Sequence, residues 1–197
     1  MAKIIPGRFT AQYNGSFVVF LIGMRVNKFL AVRKWLAAAR AMGPMLRTLR
    51  AHPEKGFLGA QVFFTWRGVA TVQYWRSFED LEAFARDKMD PHLPAWRRFN
   101  QQVGTDGSVG IWHESYLVEA ERYECVYNNM PLFGLAEATA HVPALGRLET
   151  ARRRLGGENA PAVPTPQQPL PPVRRPCPAH EHRHLRQRDP AAPPVAQ

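Results

Sequence analysis

His113 lies inside an apolar run, VGIWHESYLV over residues 109–118, between Trp112 and Glu114. Strand alternation puts His113 on one face with Ile111 and Ser115, and Trp112, Glu114 and Tyr116 on the other. A neutral imidazole can take the proton of a bound weak acid such as a phenol, because its proton affinity suits neutral pH. A glutamate left unpaired among aromatics has its pKa raised, which fits it for the same task. Glu114 and Glu124 both stand in aromatic, strand-like surroundings. Each of these residues also has a plain structural reading. The histidine can be a core or rim residue bonded to backbone, and either glutamate can pair with one of the many arginines. Periodicity does not decide which face of this strand meets a cavity.

A second group lies in TVQYWRSFEDLEAFARDKMDPHLPAWRRF, residues 71–99. An alternating strand ends at Tyr74-Trp75. Ser77 can cap a helix, whose acidic first turn suits the positive end of the dipole. That helix runs toward Asp90-Pro91-His92, with Trp96 four residues past His92 and on the same face if the helix continues. His92 can bind an anion, act as a base or ligate haem iron. It can equally cap carbonyls while Trp96 packs as core. Trp75, Trp96, Trp112, Tyr116 and Tyr127 could line a pocket for a flat ligand. Aromatics at strand spacing also serve as core or interface.

The elements that must position these groups follow from periodicity. Gly15 to Val26 is apolar at both parities, so the strand is covered on both faces. Helices can cover one face, and the other needs a second sheet or a partner subunit. Lys28 to Arg50 is helical, with Val32, Trp35, Leu36, Ala39, Leu46 and Leu49 on one side. Gly43-Pro44 should kink or restart it. Phe57 to Trp66 and Val69 to Trp75 form a hairpin turning at Arg67-Gly68. Leu81, Phe84, Ala85 and Met89 form the apolar stripe of the next helix. Strands at Val109 to Val118 and Tyr123 to Asn128 follow, the latter broken by Asn129-Met130-Pro131. A short basic helix over Gly146 to Leu155 ends at Gly156-Gly157. Residues 1–14 show no clear pattern. The order β-α-β-β-α-β predicts an α+β fold, a ferredoxin-like antiparallel sheet with helices on one face. Its open face still carries apolar side chains. A homodimer with the sheets face to face would hide them, and one parity of strand 109–118 should then face a dimer-side cavity.

Composition bounds the rest. Eleven of the 18 prolines fall at or after Pro161. A domain is therefore expected over residues 1–155 and a disordered Pro-rich tail over residues 156–197. The net charge is +10, with 21 Lys/Arg against 13 Asp/Glu in residues 1–155. These charges are spread along helices rather than set on an aromatic platform, so nucleic acid ranks low as a partner. Two cysteines make no disulfide framework, and FVVFLIGM is too short to span a bilayer, so a cytoplasmic protein with no membrane partner is expected. There is no GxGxxG after a strand, no P-loop, no CxxC and no HExxH, so no nucleotide cofactor or metal is indicated. His180, His182 and His184 and the PxxP segments of the tail are weak metal and docking signals.

The pattern VQYWRS–FEDLEAFARD–H–W resembles the antibiotic-biosynthesis-type monooxygenases and their dimeric α+β-barrel relatives. MAKIIPGRFTA, HLPAWRRFN, VGIWHESYLV and YECVYNNMPLFGLA are more similar to a monooxygenase-like family of bacterial and fungal proteins, grouped by likeness to a fumagillin-pathway polyketide monooxygenase. The resemblance covers about residues 1–155. It implies a dimeric α+β barrel and a cofactor-independent monooxygenase acting on an aromatic or polyketide-type small molecule, which itself supplies the electrons for oxygen. Relatives in the superfamily leave two alternatives open. One is a haem-binding or haem-using protein with His92 or His113 on the iron. The other is a non-catalytic dimer that binds a small hydrophobic molecule. On this reading His113, Glu114 and His92 are the candidate catalytic residues, and the five aromatics named above are candidate substrate contacts.

The proline-rich segment lacks apolar periodicity and so has little to bury. Deleting residues 160–197 is expected to leave the melting temperature within about two degrees of the full chain. Differential scanning calorimetry of both proteins checks this, and a drop of several degrees would mean that the segment packs on the domain.

Overall fold

A computed structural model describes residues 2–87, 101 and 104–163. The elements run β1 (Ile5–Gln12), β2 (Phe17–Val26), α1 (Val32–Ala51), β3 (Phe57–Thr65), β4 (Gly68–Trp75), α2 (Phe78–Arg86), β5 (Val109–Val118), β6 (Tyr127–Met130), α3 (Gly134–Ala138), β7 (Ala140–Pro143) and α4 (Ala151–Arg154). The main sheet has the order β3-β4-β2-β5, with every neighbouring pair antiparallel. This is the ferredoxin-like arrangement, with β2 in the interior of the sheet.

Register assigns the faces. Across β2, Val18 stands opposite Trp75, Phe20 opposite Gln73 and Ile22 opposite Thr71. On its other side Phe20 meets Ser115 and Ile22 meets His113. Val18 and Trp75 pack with Leu46 and Leu49 of α1 and Leu81 and Phe84 of α2, so this is the face that the helices cover. Ser77 caps α2 as its sequence indicates, its Oγ accepting from the Asp80 amide at 3.1 Å.

The opposite parity of β2 meets a second sheet. Three strands in the order β6-β1-β7 lie there, and Phe17, Val19 and Tyr74 pack with Ala11, Leu135 and Tyr127. Part of the second apolar face of β2 is thus covered within the chain. β1 and β7 carry no readable pattern in the sequence. Pro6 and Gly7 interrupt β1, where the pairing with β6 slips between Ile5 and Arg8 and Gly7 takes φ 112. β7 is four residues long. Such strands exist because a partner edge satisfies their backbone.

Other expectations are corrected. The strand near residue 125 is Tyr127–Met130 rather than Tyr123–Asn128, because Met130 pairs with Ile5 and only Pro131 ends the ladder. Residues 123–126 are held instead by side chains. The Thr10 hydroxyl donates to the Cys125 carbonyl at 2.8 Å, and the Tyr123 hydroxyl accepts from the Tyr13 amide at 2.7 Å. Helix α1 does not restart at Pro44. Gly43, Pro44 and Arg40 are exposed, so the carbonyl that proline leaves without a partner faces water. The basic helix over 146–155 is a 3-10 turn at Gly146–Leu148 followed by a four-residue α4. Thr150 separates the two by accepting from the Arg153 amide. Residues 164–197, with the tail motifs, lie outside the described residues, as does Met89. No described helix is long and apolar enough to cross a membrane.

His141 on β7 stacks against Phe9 with ring centroids 4.2 Å apart, and its burial lowers its pKa below the usual histidine value. The unfolded chain therefore binds this proton more readily than the folded one. The resulting stability is fully present above about pH 6.5 and is lost as pH falls toward the lowered folded value. Melting temperature is expected to decline over that window, and His141→Phe should flatten the decline. An unchanged pH profile in thermal denaturation of the variant would refute the assignment.

Candidate functional site

A cavity of about 350 Å³ lies between the helix-covered face of the main sheet and helices α1 and α2. Its floor is two cross-strand rows, Thr71–Ile22–His113 and Gln73–Phe20–Ser115. Each row has an apolar residue on β2 between polar residues on β4 and β5. The rows arise from antiparallel pairing, which places directly opposed residues on one face. Met42 and Met45 of α1 and Phe78 of α2 are among the residues facing the floor. Unbranched methionines suit a wall that must adapt to a ligand. The lining is chiefly apolar with a few polar groups, which is the usual make-up of a small-molecule site.

His113 sits at the β5 end of its row, exposed, with its ring 5.7 Å from that of Phe20. Ser115 is two residues along on the same face. Trp75 lines the deep end and is fully buried. Its indole N–H donates to Gln73 Oε1 at 3.0 Å, and Gln73 Nε2 donates to Thr71 Oγ1 at 3.1 Å. The carboxylate on the cavity, Glu82, is paired with Arg86 at 3.0 Å.

The other sequence candidates fall elsewhere. Trp112, Glu114 and Tyr116 occupy the sheet face turned away from the cavity. There the Tyr116 hydroxyl donates to Glu114 Oε2 at 2.7 Å, and that bond raises the tyrosine's pKa. The Trp112 ring lies on Gly23, where an added Cβ would come within 2.8 Å of it. Glu124 is paired with Arg154, which ties α4 to the segment before β6. Tyr127 belongs to the second core, where its hydroxyl accepts from the Ala136 amide at 3.4 Å and burial pushes its pKa up. His92 and Trp96 lie outside the described residues. The cavity is therefore on the helix side of the sheet and not on the expected dimer side, and the His113 parity faces it. The reason is local: β1, β6 and α3 fill one end of the opposite face, while α1 and α2 stand off the middle of this one.

Thr71 and Gln73 were not among the sequence candidates. The available signal was two polar side chains on the strand face that also carries Trp75. Among the described residues, no group of three or more His, Cys, Asp or Glu could hold a metal ion.

A family model described as monooxygenase af470-like matches residues 17–135. The chain belongs to the monooxygenase af470-like family. The matched span contains the whole main sheet, α1 and α2, and hence every cavity residue named above. Monooxygenase af470 of Aspergillus fumigatus is 30% identical over 152 residues, which is 66% of this chain and 53% of that protein. The chain thus spans about half the length of this curated relative. An aldoxime dehydratase structure superposes with TM-score 0.55 at 17% identity, covering 73% of this chain and 45% of that one. The aldoxime dehydratase OxdRE, in complex with butyraldoxime, gives 0.53 at 15% identity, with 66% and 41% covered. At those identities the likeness concerns the fold alone.

Proposed function

We propose that the chain is a monooxygenase that acts on an aromatic or polyketide-type small molecule in the cavity beneath α1 and α2, without an organic cofactor. The observation that carries this reading is the apolar cavity with an imidazole and a hydroxyl, His113 and Ser115, at one end of its floor. Family membership supports the reaction type, and the apolar lining supports a flat, largely hydrophobic substrate.

In this reading His113 takes a proton from the substrate, which becomes electron-rich enough to react with oxygen. A methylene activated by a neighbouring phenol illustrates the balance. Two C–H bonds are lost and one C=O bond forms. One oxygen atom enters the product and the other leaves as water, so all four electrons taken up by O₂ come from the substrate. In the same reading Ser115, on the same strand face, donates to the oxygen that gains charge when the proton leaves.

Substituting His113→Ala is expected to lower substrate-dependent oxygen uptake about a hundredfold or more. Glu114→Gln, on the other face of the sheet, should change it less than about threefold. An oxygen electrode with folding checked by circular dichroism reads both. Equal activity of the two variants would move the site away from the His113 end. A Soret band in the purified protein would replace this reading by the haem-using one, and ligand binding without oxygen uptake by the non-catalytic one.

We also propose that the chain is a homodimer through the sheet face carrying Trp112 and Tyr116, which are 39% and 53% exposed. Light scattering at micromolar concentration should give twice the chain mass, and Tyr116→Arg should shift it toward the monomer. A monomeric wild type would dismiss this assembly.

A further inference from the structure

Three side chains on one face of β4 form a hydrogen-bond chain with a single possible direction. Trp75, Gln73 and Thr71 are two residues apart, and all three line the cavity. An indole nitrogen only donates. The amide oxygen of Gln73 must therefore face Trp75, at 3.0 Å, and its nitrogen then faces Thr71, at 3.1 Å. Reversing the amide would set donor against donor. Because Thr71 Oγ1 accepts from Gln73, its own proton is free to be donated elsewhere. Among the described residues no acceptor is shown for that proton, although Thr71 is only 1% exposed. A buried hydroxyl proton without an acceptor is unfavourable. Thr71 is among the residues that line the cavity.

We infer that Thr71 is a substrate-recognition residue: its hydroxyl donates to a carbonyl oxygen of the molecule in the cavity, and Gln73 and Trp75 are positioning residues that aim it. The inference rests on the proposed function only in placing the ligand in this cavity. Donation by Trp75 polarises the Gln73 amide, and donation by Gln73 aligns the Thr71 hydroxyl, so the chain ends in an oriented donor.

The cross-strand row adds the ligand's dimensions. Thr71 and His113 flank Ile22 on neighbouring strands. Two strand spacings put their backbones about 10 Å apart. A flat ligand lying over Ile22 thus meets a hydrogen-bond donor at one edge and the imidazole at the other. The substrate class is an aromatic molecule with an ionisable hydroxyl at one edge and a carbonyl toward the opposite edge. A phenol of the same shape without the carbonyl leaves the Thr71 proton unmade and is bound less well.

The test uses two probes of nearly equal shape, 4-hydroxybenzophenone and 4-benzylphenol, which differ by a carbonyl in place of a methylene. Titration calorimetry of the wild-type protein is expected to show about tenfold tighter binding of the ketone. Thr71→Val should abolish that preference, and Thr71→Ser should restore it. Gln73→Glu should also abolish it, because a carboxylate accepts from both neighbours and draws the Thr71 proton inward. Glu114→Gln, on the other face of the sheet, should leave the preference unchanged. Circular dichroism confirms folding of each variant. A preference that survives Thr71→Val, or equal binding of both probes by the wild type, overturns the inference. Failure of either probe to bind overturns it together with the placement of the ligand. A Thr71-dependent preference without any oxygen uptake sinks the oxygenase reading and leaves the recognition role standing.

Discussion

β2 is apolar on both faces and paired on both edges, so burial of both faces is the main constraint on the fold. Val18 and Met24 point one way, and Phe17 and Val19 the other. At about 25 cal/mol per Å² of apolar surface, leaving either side wet would forfeit several kcal/mol, a large part of a domain's net stability. The rest of the architecture answers that demand. α1 and α2 cover one parity. The small sheet and α3 cover one end of the other. Trp112 and Tyr116 remain on the uncovered part, and this is the face expected to meet a second copy.

The cavity is a consequence of incomplete covering. Leu46, Leu49, Leu81 and Phe84 close down on Val18 and Trp75 at one end of the sheet, and Ala38 closes on Met24, Val26 and Val109 at the other. Between these two contacts the helices stand off the rows that contain Ile22 and Phe20. Two packed clusters act as pillars, with methionines lining the space between them. A site built this way is held by secondary structure rather than by loops, so its floor is rigid while its roof can adjust. The family match covers the pillars and the floor together.

Polar groups on the cavity are few, and half of them are fixed by their neighbours. Trp75 and Gln73 are satisfied within β4. Glu82 is paired with Arg86 on the surface of α2. What remains directed at the cavity is the imidazole of His113 and the hydroxyls of Ser115 and Thr71. Buried polar groups that are partnered rigidify a core, whereas those left over define what a ligand must supply. That division separates structure from recognition here better than residue type does. Glu114, Glu124 and Tyr127 are chemically competent but engaged elsewhere.

Much of the ferredoxin-like unit was legible in the chain itself. Strand alternation, the Ser77 cap and the two-sided apolar run are local signals, and each produced the element it announced, because period and capping act within a few residues. Helix α1 runs through Pro44 without restarting, because that residue's solvent-facing position is a tertiary fact. β1 and β7 were invisible because edge pairing, not side-chain period, makes them strands. The sequence by itself determined that His113 and Ser115 share a face opposite Trp112, Glu114 and Tyr116. Only the tertiary structure decided which face meets a cavity, because parity is a property of one strand, whereas a cavity depends on where two distant helices and a second sheet come to rest. The same holds for Thr71 and Gln73. Their spacing was readable, but the direction of their hydrogen bonds became fixed only when Trp75 was buried beside them, with the Gln73 oxygen as its acceptor among the described residues.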